Sequence, residues 1–93
     1  MESLRVGAVV ESKMGRDRGR YYVVVKEEGE DFVLLSDGDY RKQTNPKLKK
    51  VKHLRYRGEY LDDIGAKLIQ SVEVTDAEIR RALKVHNTKN LEV

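Results

Sequence analysis

Short runs of β-branched and aromatic residues, each ended by a turn-forming residue, fill positions 6–54 of the chain. This spacing is typical of a small antiparallel β structure, in which a tight connection follows every strand. The runs predict five strands in meander order, at residues 7–13, 20–26, 31–36, 39–43 and 50–54. We therefore expect a small five-stranded antiparallel barrel.

Turn residues account for the breaks between these runs. Gly15 and Gly19 can take the positive φ that a tight loop requires. Gly29 and Gly38 each follow an acidic residue, a pairing that predicts hairpin turns. Pro46 cannot donate a hydrogen bond to a neighbouring strand, so the chain should turn there.

The second and third runs are apolar on both faces, at residues 21–25 and 32–35, so another element must cover the outside of the sheet. The C-terminal part can supply this cover. Thr75 with Glu78 forms a capping box, and an apolar stripe that begins at Ile79 predicts a helix ending near Asn87. A shorter helix is expected around residues 61–68, where Gly65 is the weak point. The barrel is assigned to residues 1–57 and the helical extension to 58–93, within a single domain.

The 93 residues suffice for one domain with a modest core. The chain contains no cysteine, which excludes a disulfide framework and a thiolate zinc site. Because we find neither a signal peptide nor an apolar stretch long enough to span a membrane, we expect a soluble cytoplasmic protein.

The formal net charge of +3 hides an uneven distribution. Residues 13–20 carry four Lys or Arg against Asp17 alone, and residues 41–57 carry eight against no acid. These two segments hold 12 of the 19 basic residues. Such separation of charge indicates an anionic partner on one surface, with a merely solubilising face as the alternative.

Residues 13–20 form a loop that is rich in both glycine and arginine. Glycine lets the backbone approach a phosphate closely, and arginine can bind its oxygens with two hydrogen bonds. The alternative is an ordinary turn with solvated arginines. Tyr40 and Tyr56 flank the second basic segment and are candidates for base stacking, with packing at strand ends as the other interpretation.

Catalytic patterns are missing from the sequence. His53 and His86 have no partner at metal-binding spacing, and no phosphate-binding glycine loop is found. Asp62 and Asp63 suit a helix N-terminus better than an acid/base pair. We therefore expect no enzyme, no metal, no cofactor and no small-molecule substrate.

The order of the elements in the first part of the chain resembles a KOW motif. A strand is followed by Gly15-Arg16-Asp17 and Gly19, then by a valine strand, and then by Val33-Leu34-Leu35 with Asp37-Gly38. Residues 39–54 extend the likeness to small bacterial KOW-domain RNA-binding proteins related to the fourteen-e type of archaeal and eukaryotic large-subunit ribosomal protein. The resemblance covers about the first 57 residues.

The family resemblance implies an SH3-like barrel that binds ribosomal RNA without catalysis or cofactor. The predicted RNA-binding residues are Lys13, Arg16, Arg18, Gly19, Arg20, Arg41, Lys42, Lys47, Lys49, Lys50, Lys52 and Arg55. The relatives in archaea and eukaryotes are ribosomal subunits, whereas this chain resembles free-standing bacterial versions. The expected function is RNA binding in the translation apparatus, by backbone and shape readout. The alternative is an SH3-like module that contacts a transcription or translation factor.

Overall fold

The computed structural model describes residues 4–87. In chain order the elements are β1 Ala8–Ser12, β2 Tyr21–Glu28, β3 Phe32–Ser36, β4 Lys47–Lys50, a 3-10 turn Val51–His53, β5 Leu54–Tyr60, α1 Asp62–Ile69 and α2 Asp76–Asn87. None of the helices in this described part is long and apolar enough to cross a membrane.

The five strands form one antiparallel sheet in the order β4-β3-β2-β1-β5. The first four strands follow the predicted meander, and β5 returns to pair with β1. β4 and β5 are therefore the edge strands. The predicted five-stranded antiparallel sheet followed by helices is confirmed, and the assigned boundary at residue 57 lies inside β5.

Both faces of the sheet are covered by apolar side chains. Val10, Val24 and Leu35 lie in a buried cluster on one face. Val9 and Val23 point the other way and pack in a second buried cluster with apolar residues of both helices. This confirms that the C-terminal part covers the outside of the sheet, as the doubly apolar strands predicted.

α2 begins as the capping box predicts. The Glu78 backbone N–H donates to Thr75 Oγ1 at 3.1 Å, and the Thr75 N–H donates to Glu78 Oε1 at 3.2 Å. Near the other end of the helix, the His86 ring stacks on Tyr21 with centroids 4.4 Å apart, and its Nε2 lies 2.8 Å from Glu59 Oε1. These contacts attach the C-terminal end of α2 to the sheet.

The predicted fourth strand is wrong, because residues 39–43 belong to a loop. The buried Asp37 carboxylate accepts the backbone N–H groups of Asp39 and Arg41, at 2.9 and 2.8 Å. The Gln43 N–H donates to Asp76 Oδ1 at 2.9 Å. These bonds use donors that a strand would need for pairing, and Asp37 with Gly38 starts this long loop instead of a hairpin turn. We call residues 37–46 the β3–β4 loop.

The predicted fifth strand, at residues 50–54, is also wrong. Residues 51–53 form the 3-10 turn, and the last strand runs from Leu54 to Tyr60. It pairs with β1 through Tyr56 opposite Val10 and Tyr60 opposite Ala8. The lysines of residues 47–52 are thus divided between β4 and the 3-10 turn.

Candidate nucleic-acid interface

Residues 13–20, which we call the basic loop, are organised around one carboxylate. Gly15 and Gly19 have φ of 92° and 91°, so the loop folds back sharply. Asp17 consequently faces the sheet, where Ser12 Oγ donates to its Oδ1 at 2.8 Å and the Tyr22 hydroxyl donates to its Oδ2 at 2.7 Å. The loop is thereby fixed to β1 and β2.

Two lysines of β4 reach the same carboxylate. Lys49 Nζ donates to Asp17 Oδ1 at 3.2 Å and to the Met14 carbonyl oxygen at 2.9 Å, and its side chain is only 11% exposed. Lys47 Nζ lies 3.7 Å from Asp17 Oδ2. The structure therefore brings the basic loop and β4 together, and Asp17 lies between them.

This environment changes the pKa values of Asp17 and Tyr22. Burial raises the pKa of Asp17, but hydrogen bonds from Tyr22, Ser12 and Lys49, with the charge of Lys47, outweigh it and lower the pKa to about 2. Burial and the hydrogen bond to Asp17 raise the pKa of the Tyr22 phenol well above its ordinary value. At neutral pH the pair is an ionised carboxylate and a neutral phenol.

Positive charge gathers around His53 at the end of the 3-10 turn. Partial desolvation and then the charges of Lys52, Lys49, Lys50 and Lys13 lower the pKa of its imidazole. The Lys13 backbone N–H also donates to the His53 carbonyl oxygen at 2.9 Å. The two basic segments of the sequence thus meet on one surface.

We call this surface the basic patch. Its exposed members are Lys13, Arg16, Arg18, Lys50 and Lys52, and it includes the largely buried Lys49. In residues 4–87 none of these five exposed side chains forms an ion pair with a carboxylate. They are available to an external anion.

Arg20, at the end of the basic loop, has a different environment. Its Nε lies 2.6 Å from Asp37 Oδ2, and its Nη2 lies 3.7 Å from Asp39 Oδ2. The guanidinium also lies 4.4 Å from the centroid of the Tyr40 ring. Two carboxylates therefore balance the charge of Arg20. Arg41 and Lys42 lie in the β3–β4 loop, next to Asp39 and Tyr40. Within the described residues, neither has a carboxylate partner.

The remaining predicted residues lie on β5 and in the basic loop. Arg55 Nη1 lies 3.9 Å from Glu11 Oε1, which Arg57 Nη2 also approaches at 3.4 Å. Tyr56, between these arginines, is 42% exposed. Gly19 contributes backbone only, since its N–H donates to the Ser12 carbonyl oxygen at 2.8 Å.

Some residues that organise this surface were not predicted from the sequence. Asp17 and Asp37 hold cations, and the local signals were a single acid within the basic loop and an Asp-Gly turn pair at the start of the β3–β4 loop. Arg80, Arg81 and Lys84 of α2 face the β3–β4 loop across a cleft. Helical spacing places them together, but it does not indicate which loop they face.

The described residues, 4–87, contain no group of three or more side chains able to hold a metal ion. Comparison with protein-family models and with curated proteins gives no match for this chain.

Proposed function

We propose that this chain is a non-catalytic, cytoplasmic RNA-binding protein of the translation apparatus, of the KOW type, that binds ribosomal or other structured RNA through the basic patch. The observation that carries the proposal is the meeting of Lys13, Lys50 and Lys52 around His53. These cations come from segments far apart in the sequence, and their mutual repulsion costs stability unless an anion neutralises them.

Backbone and shape readout suits this surface. The exposed members of the basic patch are all lysine or arginine, which bind phosphate oxygens strongly. Phosphate contacts fix the register and orientation of a nucleic acid but carry no sequence information directly. Structured RNA presents rows of phosphates across its grooves, and we therefore propose such RNA as the partner.

The strand order supports an SH3-like barrel as the finer fold. β1 pairs with both β2 and β5, and a 3-10 turn joins the two edge strands β4 and β5. The register of the sheet shifts between Ala8 and Val10 and between Val24 and Lys26. Such irregularities bend strands and allow a sheet to coil toward closure.

A matched pair of charge reversals tests the RNA-binding proposal. Lys50→Glu changes an exposed strand lysine in the basic patch, and Lys26→Glu makes the same change of charge on β2, where the side chain is 66% exposed. Fluorescence anisotropy with a ribosomal RNA fragment should show much weaker binding for Lys50→Glu and wild-type binding for Lys26→Glu. Equal losses in the two variants would mean that only net charge matters, and the basic patch would not be the interface.

Salt dependence provides a second test. If about five to eight phosphates are neutralised, raising the salt concentration from about 50 to 200 mM should weaken binding roughly a hundredfold or more. Affinity that does not change with salt would contradict phosphate recognition.

The alternative, a protein-interaction module, is favoured by exposed apolar side chains beside the basic patch. Met14 in the basic loop is 51% exposed, and Leu48 on β4 is 57% exposed. A peptide partner docked on these groups should tolerate reversal of Arg16 and Arg18 to Glu but should dissociate from a Leu48→Ser variant. RNA binding should show the opposite response.

A further inference from the structure

A cleft separates the β3–β4 loop from α2. The sequence indicated Arg20 and Tyr40 on one side of this cleft but none of the α2 residues on the other. The volume of the cleft is about 410 Å³, and its lining includes Tyr40 and Arg20 on one side and Arg80, Arg81 and Lys84 on the other. Sites for small ligands commonly enclose roughly 300–1,000 Å³. The cleft is therefore large enough for one nucleotide.

Tyr40 is held in place as an exposed aromatic surface. Tyr40 is 77% exposed, and the Arg20 guanidinium lies over the ring, 4.4 Å from its centroid. Arg20 is itself held by the fully buried Asp37 carboxylate at 2.6 Å. Since carboxylates already balance the charge of Arg20, we assign it the role of positioning the Tyr40 ring.

Among the described residues, cationic side chains outnumber carboxylates in the lining of the cleft. They are those of Arg20, Arg80, Arg81 and Lys84, against the carboxylates of Asp37 and Asp39. Arg80 Nη1 donates to the Gly38 carbonyl oxygen at 2.9 Å, which ties α2 to the loop. Arg81 and Lys84 are exposed at the same wall.

We propose that this cleft holds one unstacked nucleotide from a single-stranded or loop segment of RNA. The base stacks on the Tyr40 ring, and the phosphate lies toward Arg81 and Lys84. This inference rests on the proposed RNA-binding function and adds to it a contact with a base, whereas the basic patch contacts only the backbone. Aromatic side chains and arginine planes are the usual stacking partners of splayed RNA bases.

The test uses the full chain and two RNA probes. One is a single strand of about ten nucleotides that carries 2-aminopurine, a base whose fluorescence is quenched by stacking. The other is a blunt duplex of about 16 base pairs, which offers phosphates but no free base. The variants are Tyr40→Leu, which removes the ring, and Tyr40→Phe, the conservative change that keeps it.

Tyr40→Leu should weaken binding of the single strand about tenfold and remove the quenching of 2-aminopurine. Tyr40→Phe should bind and quench like the wild type, and all three proteins should bind the duplex equally. Unchanged binding and quenching in Tyr40→Leu, or a wild type that binds the duplex but not the single strand, would overturn the nucleotide site and leave RNA binding intact. A wild type that binds neither probe would overturn the proposed function as well.

Discussion

Replacing Asp17 by asparagine tests whether one carboxylate holds the basic loop to β4. The amide has the size of the carboxylate, and its oxygen can still accept hydrogen bonds from Ser12 Oγ and Lys49 Nζ. It loses the second acceptor oxygen, to which the Tyr22 hydroxyl donates, and the negative charge that faces Lys49 at 3.2 Å and Lys47 at 3.7 Å. The variant therefore removes electrostatic stabilisation with little change in packing.

The size of this effect follows from the pKa of Asp17. The pKa falls from an ordinary value of 3.8 to about 2, and a tenfold change in a protonation equilibrium corresponds to about 1.4 kcal/mol. The difference amounts to about 2 kcal/mol, which screening at this partly exposed loop reduces to about 1–2 kcal/mol. In a domain of this size that loss lowers Tm by about 5–10 °C.

Urea denaturation across a range of pH measures the effect. Because the folded-state pKa of Asp17 is depressed, its contribution is fully present well above pH 3.8 and disappears as the pH falls toward about 2. The wild type should therefore exceed Asp17→Asn in free energy of unfolding at neutral pH, and the two curves should converge near pH 2. A difference that persists unchanged in acid, or none at neutral pH, would refute the electrostatic role of Asp17.

Three further predictions test the fold that supports both surfaces, each by urea denaturation. Gly38→Ala should cost about 2–4 kcal/mol of stability, because the added Cβ would overlap the backbone of α2. Gly29 has a similar φ but nothing within 4 Å of an added Cβ, so Gly29→Ala should cost about 1 kcal/mol. Equal costs would contradict the close approach of Gly38 to α2. Leu83→Ala should lose about 2–5 kcal/mol because the side chain is fully buried between α2 and the sheet, and a loss below 1 kcal/mol would mean that α2 adds little to the core. Thr75→Ala should lose about 1 kcal/mol with its N-cap hydrogen bond, and unchanged stability would contradict the capping box.

Elements that depend on nearby residues were predictable from the sequence. The capping box and apolar stripe of α2 lie within one segment, and the helix extends from Asp76 to Asn87 as they indicate. The apolar runs of β2 and β3 likewise predicted both strands and the need for cover on the second face. Each of these patterns contains its own physical cause.

The β3–β4 loop could not be predicted in the same way. Tyr40 and its neighbours have acceptable strand propensity, but Asp37 binds the backbone N–H of Arg41, and Asp76 binds that of Gln43 from 33 positions away. Tertiary hydrogen bonds of this kind override local preference. For the same reason, the sequence marked Tyr40 as a candidate for base stacking but did not indicate the cleft that this loop forms with α2.

In the candidate interface, carboxylates of the protein determine which cations are left to bind an external anion. Of the eleven predicted basic residues, four face carboxylates within the protein, namely Arg20, Lys47, Lys49 and Arg55. A cation already paired releases fewer counterions when RNA binds, so these four contribute less to salt-dependent affinity than the unpaired ones do. Two of them, Lys47 and Lys49, instead hold the basic loop, from which Arg16 and Arg18 project, against β4. The affinity for RNA should accordingly follow the number of unpaired cations on the basic patch, and the net charge of the chain should be a poor guide to it.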